Sequence, residues 1–438
     1  MTLKRQKKSG DKQPSLWTRP FVMLMLQNLM FWIAINMLTT ALPGYLLAIG
    51  GSPSLMGVQI GIFSYAALLF RPAGGILLDF WDRRLVLLAG LILTTAMASL
   101  YLLRPSVCGL MVLRFFQGLG FSAYTMAAST ISADVVPARR MAEGLGIFAL
   151  ANTISLAIGP PFCLSLAKQG YVLLFTVILI LLVISLSLTV FIENSKVSRF
   201  AGRWTGLDDP RSAEPDRRFA SVRRLPGRLV RGMIEKTAFR PSLVAFFMMA
   251  ACGSVLPFLP LYGQERGFPD IGLFFTVYVA ALFAARFLTG RLADERGSNF
   301  IFIPSMLLAI VSTLILAFAR SEITLFLAAA FYCAGTGMAF PALNAILIRL
   351  APPDKLGAAN ATFFAIIDIA VGTVSIAMGM ISEKAGFTTF FVVATIFFGV
   401  SLGCYLIFLC PSERENHEQA RIHYYESHES TADILDPD

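Results

Sequence analysis

The chain has 438 residues, of which 56% are hydrophobic and 14% charged, with a formal net charge of +9 and a mean hydropathy of +0.70. Soluble domains carry about 25% charged residues, so this composition excludes an ordinary water-soluble protein. Apolar runs of about 20 residues, the length of helix that crosses roughly 30 Å of hydrocarbon, recur along the sequence and predict a polytopic membrane protein.

In chain order, a basic segment over 1–19 holds Lys4, Arg5, Lys7, Lys8, Lys12 and Arg19 with no short apolar core and small-residue cleavage site behind it, so no removable signal peptide is expected. Six spans follow, near 20–48, 55–79, 84–103, 107–132, 143–166 and 170–192, making an N-terminal half over 20–192. The stretch 193–240 carries twelve basic and six acidic residues, with Arg217, Arg218, Arg223 and Arg224 clustered, and reads as a cytoplasmic linker. Six more spans, near 241–262, 271–293, 299–319, 323–349, 357–381 and 386–410, form a C-terminal half over 241–410, followed by a polar tail over 411–438. The runs are too long and continuous for barrel strands, and a helix satisfies its own amides in lipid. The predicted fold class is therefore an all-α membrane protein with twelve transmembrane helices in two parallel six-helix pseudo-repeats.

With both termini cytoplasmic, the cytoplasmic segments collect 28 of the 36 Lys and Arg and the external loops five, as the positive-inside rule requires. Cations spread along one membrane side do not make a nucleic-acid site, so lipid is the expected partner and nucleic acid is not. His417, His423 and His428 all fall in the tail, and the six cysteines show no metal-ligand spacing, so no metal, disulfide framework or cofactor is expected.

The halves repeat. Arg71, Gly75 and Asp79 close the second span and Arg286, Gly290 and Asp294 close the eighth, at an offset of 215; Pro43 and Pro260, Pro137 and Pro353, and Asn152 and Asp368 keep nearly the same offset. Spacing of four places each trio along one helix face.

Gly75-Ile-Leu-Leu-Asp79-Phe-Trp-Asp82-Arg83-Arg84 and its repeat Gly290-Arg-Leu-Ala-Asp294-Glu-Arg296-Gly297 resemble the G-x-L-a-D-r-x-G-r-r signature of the major facilitator superfamily, over roughly residues 20–410. The first copy departs at Phe80 and Asp82, and the second lacks the trailing basic pair. Arg114-Phe-Phe-Gln117-Gly118-Leu-Gly120 resembles that family's R-x-x-Q-G-x-G signature, associated with proton-linked exchangers. Gly146, Ser155 and Gly159-Pro160 partly match its exporter signature, with Ser155 and Cys163-Leu164 as departures. The resemblance implies two halves that rock about a midplane site, with direction left open between efflux and uptake.

Within that frame, Gly75, Asp79, Gly290 and Asp294 are expected to form a reversible cytoplasmic latch, with Arg83, Asp134, Arg139 and Arg140 as candidate partners. Asp368 is the acid expected nearest the midplane, and an intramembrane carboxylate costs several kcal/mol, roughly, unless protonated, paired or hydrated. Asp368 and Arg114 are the expected proton-coupling residues. Asn36, Gln117, Asn152 and Asn344 join them as expected cavity residues, and polar groups set among many phenylalanines suit a small amphipathic solute. With no GxxxxGK[ST] loop visible, the function expected is proton-coupled export of such a solute by a monomer in a bacterial cytoplasmic membrane. Proton-coupled uptake and a non-transporting receptor or scaffold are the alternatives. An enzyme is not expected, since no catalytic constellation falls in the spans.

Overall fold

In the computed structural model, residues 16–137, 140–191, 235–268, 271–296, 298–352 and 355–411 are described, with residues 75, 76, 79, 80, 141, 142, 286–296, 356 and 357 described by backbone alone. The N-terminal segment up to residue 15, Arg139, residue 192, the linker over 193–234, Gly297, Pro353 and the tail beyond 411 lie outside the described residues.

The described secondary structure is helical. The first half comprises α1 (Arg19–Ala48), α2 (Pro53–Phe80), α3 (Arg83–Leu100), α4 (Val107–Val135), α5 (Met141–Ala167) and α6 (Tyr171–Val190). The second comprises α7 (Phe239–Arg266), α8 (Ile271–Arg296), α9 (Ser298–Phe318), α10 (Glu322–Leu350) and α11 (Leu356–Phe408). At 1.5 Å per residue the 53 residues of α11 would run about 80 Å, far beyond a bilayer core. It breaks at Gly386, whose φ of 74° suits a residue without Cβ, and so supplies two antiparallel arms, 356–385 and 387–408. Among the described residues ten helices are long and apolar enough to span a membrane, counting α11 once; α8 adds an apolar segment, Ile271–Ala285.

Short polar residues set where the helices begin. Ser52 caps α2 ahead of Pro53, Asp82 caps α3, Ser106 caps α4, and Ser321 with Thr324 makes a reciprocal capping box at α10. Gly267 ends α7 in the left-handed region. Large apolar side chains on the outside, such as Leu69, Ile92, Val190, Phe318, Ile396 and Ile407, are more than half exposed, as a lipid-facing belt requires. We call the end where α1 starts the inner end and the end where it stops the outer end, after the orientation that the cations predict.

The repeat seen in sequence recurs in the packing. Arg83 at the start of α3 is paired with Asp134 at the end of α4, and at the same offset of 215 Ser298 at the start of α9 accepts a hydrogen bond from Arg349 at the end of α10 (2.5 Å). Gly90 and Gly120 let α3 and α4 meet backbone to backbone, and Ser305 and Gly335 do the same for α9 and α10 at that offset. Across the halves, the main contacts run along α2 against α11 and α5 against α8, with a smaller one between α1 and α7.

Candidate functional site

The α2–α11 seam is where charge and close packing coincide. At the outer end the backbone N–H of Ser54, in the first turn of α2, donates to Glu383 Oε2 at 2.9 Å. Below it, a Cβ on Gly57 would lie 2.1 Å from the Ser375 carbonyl oxygen. One on Gly61 would lie 2.8 Å from Ile376, and one on Gly379 2.8 Å from the Pro53 carbonyl oxygen, so only glycine permits this approach. Deeper still, Tyr65 and Thr373 share a hydroxyl hydrogen bond of 2.6 Å.

The seam ends on an ion pair. Arg71 Nε donates to Asp368 Oδ2, and the guanidinium also stands 5.5 Å from the centre of the Phe364 ring, one turn before the aspartate. Asp368 lies twelve residues into the first arm of α11, about 18 Å along the helix and near mid-membrane. Both side chains are largely buried, at 18% and 14% exposure. The cation came from a trio that sequence reasoning treated as a repeat landmark, so its role as partner of Asp368 is new. The contact links residues 297 apart, which no local pattern encodes; counting the charges that α2 and α11 carry into the membrane is the signal that could have found it.

Arg114 stands elsewhere. It is 3% exposed inside the N-terminal half, donates to Gln117 Oε1 at 2.9 Å and lies 4.4 Å over the Phe63 ring. No described ion pair joins it to Asp368 or to any other acid. Asn36 donates to Ser155 Oγ at 2.7 Å, holding α1 against α5, with Ser155 donating in turn to the Asn152 carbonyl oxygen. The Asn152 side chain is exposed, and Asn344 keeps a buried Oδ1 without a partner. Of the latch residues, Arg83 and Asp134 are brought together, while Arg140 pairs with Glu143. Gly75, Asp79, Gly290 and Asp294 are placed on the inner ends of α2 and α8 by backbone alone. Arg84, which sequence reasoning did not assign, caps the last carbonyls of α6 at Thr189 and Val190.

An outer pocket between the halves is lined by Thr40 and Gly44 of α1, Cys163 and Leu164 of α5, Tyr171 of α6, and Gln264 of α7, among others. Among the described residues no cluster of His, Cys, Asp and Glu could hold a metal.

The family model of the Major Facilitator Superfamily matches residues 24–270 and again 241–424. The chain is 23% identical to the staphylopine export protein of Staphylococcus aureus over 380 residues, covering 84% of this chain and 90% of that protein. It is 24% identical to the multi-drug resistance efflux pump PmrA of Streptococcus pneumoniae over 318 residues, covering 70% and 75%. Among solved structures, a POT family transporter in complex with 5-aminolevulinic acid superposes with a TM-score of 0.74 at 14% identity, over 89% of this chain and 96% of that one. The nucleoside transporter NupG gives 0.70 at 11%, over 89% and 100%. Matched through both halves and folded as paired six-helix bundles, this chain belongs to the major facilitator superfamily and is a multi-span membrane transporter.

Proposed function

We propose that the protein is a proton-coupled exporter of a small amphipathic solute, working by alternating access across a bacterial cytoplasmic membrane with both termini cytoplasmic. The observation that carries this reading is the Arg71–Asp368 pair, which joins the halves near mid-membrane. A carboxylate paired with arginine favours its charged form, and one left alone in an apolar seam favours its neutral form. Protonation of Asp368 therefore weakens the hold of α11 on α2, and separation of the halves favours protonation. The two events are reciprocal, as linkage demands. Efflux-named relatives over most of the chain favour export.

In this account Asn36, Asn152 and Asn344 belong to the N- and C-half walls that a solute passes, while Arg114 and Gln117 stand behind them, buried inside the N-terminal half. Gly75 with Asp79 and Gly290 with Asp294 latch the inner ends when the outer seam opens. The pseudo-repeat puts Asn152 where the other half has Asp368, and Arg286 where it has Arg71, so the α5–α8 interface has the cation position without the acid. That asymmetry supports a titrating step at the α2–α11 interface alone.

The test uses everted vesicles with a pH-sensitive dye and a fluorescent lipophilic cation as probe solute. Adding solute is expected to dissipate the proton gradient in wild type and not in Asp368→Asn. Solute movement in wild type without proton movement overturns the coupling.

A further inference from the structure

The N-terminal half contains a buried cation that its own sequence cannot neutralise. Residues 20–192 hold four acids, Asp79, Asp82, Asp134 and Glu143. These lie at the inner end: in the last turn of α2, at the cap of α3, in the last turn of α4 and in the first turn of α5. Arg114 is in the second turn of α4, at the opposite end, about 30 Å away along the helix from Asp134. It is 3% exposed, and its Nε has no hydrogen-bond partner.

The groups around it are short of acceptors. Gln117, fully buried, accepts from Arg114 at 2.9 Å and from the Tyr101 hydroxyl at 3.3 Å through Oε1, which leaves its Nε2 donor unpartnered. Gln59, also fully buried, has neither amide atom partnered. It lies one turn before Phe63 on the same face of α2, and the Phe63 ring carries the guanidinium at 4.4 Å. Three buried nitrogen donors, against the single free acceptor Gln59 Oε1, thus go without partners around one positive charge. Buried polar groups are normally satisfied, and an unpaired buried charge is the costliest exception. Water supplies hydrogen bonds but no countercharge; an anion supplies both.

We propose that Arg114, Gln117 and Gln59 form a buried site for a small monovalent anionic group, either a free halide or a carboxylate, held beside the Phe63 ring. The site lies within one half, so it stands apart from the Arg71–Asp368 seam and from the direction of transport.

The test is the thermal midpoint of the purified protein at constant ionic strength, with chloride or acetate titrated against the bulkier methanesulfonate. A ligand bound by the folded state raises the midpoint saturably. A saturable rise in chloride alone identifies a free inorganic anion, and a rise in acetate as well identifies a carboxylate site; each is expected to be lost in Arg114→Gln. Gln59→Leu, which keeps the cation but removes one donor, is expected to need several-fold more anion for the same rise, and it serves if Arg114→Gln does not fold. Midpoints in chloride and acetate that follow the methanesulfonate control in wild type leave water as the occupant and overturn the proposal.

Discussion

At the scale of single residues, the Arg71–Asp368 pair makes two demands that differ in sign. Deleting one partner strands the other in a largely buried seam, whereas replacing both removes charge and countercharge together. Arg71→Met alone is expected to lower stability by about 3 kcal/mol, the low end for a buried pair broken on one side. Arg71→Met with Asp368→Asn should recover most of that loss. A double-mutant cycle on thermal or denaturant midpoints checks this, and equal, additive losses would show that the two side chains do not depend on each other. Function should not recover with stability, because the double variant has no group left to titrate. Another residue gives a pH signature outside the spans. Glu235 Oε2 lies 3.2 Å from Lys355 Nζ, and this ammonium, with Thr237, holds the carboxyl below the usual carboxylate range. Its folded form is thus favoured above the ordinary glutamate range near about 4.3, and the contribution disappears as pH falls through the lowered value. In Lys355→Met the Glu235 resonance, followed by NMR, should titrate back in the ordinary range; an unmoved titration would remove the pair from the account.

At the scale of elements, the outer seam depends on glycine. A Cβ at position 57 would overlap the Ser375 carbonyl oxygen, which is helix backbone and cannot turn aside. Gly57→Val is therefore expected to hold α2 off α11, to slow transport at least tenfold, and to speed labelling of a cysteine placed at Ser375 by an impermeant maleimide from the outer side. Unchanged labelling would mean that the seam tolerates the side chain. The helices themselves were legible because each apolar run is bounded by Ser, Asp, Gly or Pro, and their ends fall within a few residues of the expected ones. The exception is the join of the last two spans: the structure carries the helix through to Gly386, where sequence reading placed a loop over 382–385. The seam was partly legible. Gly57-Val-Gln-Ile-Gly61 is a G-x-x-x-G pattern that points to close helix packing, yet nothing in it names α11 as the partner. The latch motif was the louder signal in sequence. Of its residues, Arg83 and Asp134 are described as an ion pair within one half, a tie that the repeat keeps as Arg349 to Ser298, with arginine at the position of the acid and a hydroxyl at the position of the arginine.

At the scale of the whole molecule, the described hydrogen bonds and ion pairs between halves run from Ser54–Glu383 at the outer end to Arg71–Asp368 near the middle, an arrangement closed on the outer side along α2 and α11. Rocking about that seam turns a local proton event into a change of access, since two packed arrangements of rigid halves are exchanged rather than one being deformed. The size of the effect is bounded by how differently the two arrangements bind the proton. Asp368 carries that difference in this account, so its charge should set the balance even in the absence of solute. The direct test is a pair of spin-label distances in nanodiscs, one between outer positions Leu103 and Ile323 and one between inner positions Trp81 and Ile348, all of them exposed side chains. On acidification the outer distance should lengthen and the inner one shorten in wild type, while Asp368→Asn should hold the acid-state distances at every pH. Distances that ignore pH in wild type, or that shift with pH to the same extent in Asp368→Asn, would contradict the coupling of proton and access through this aspartate.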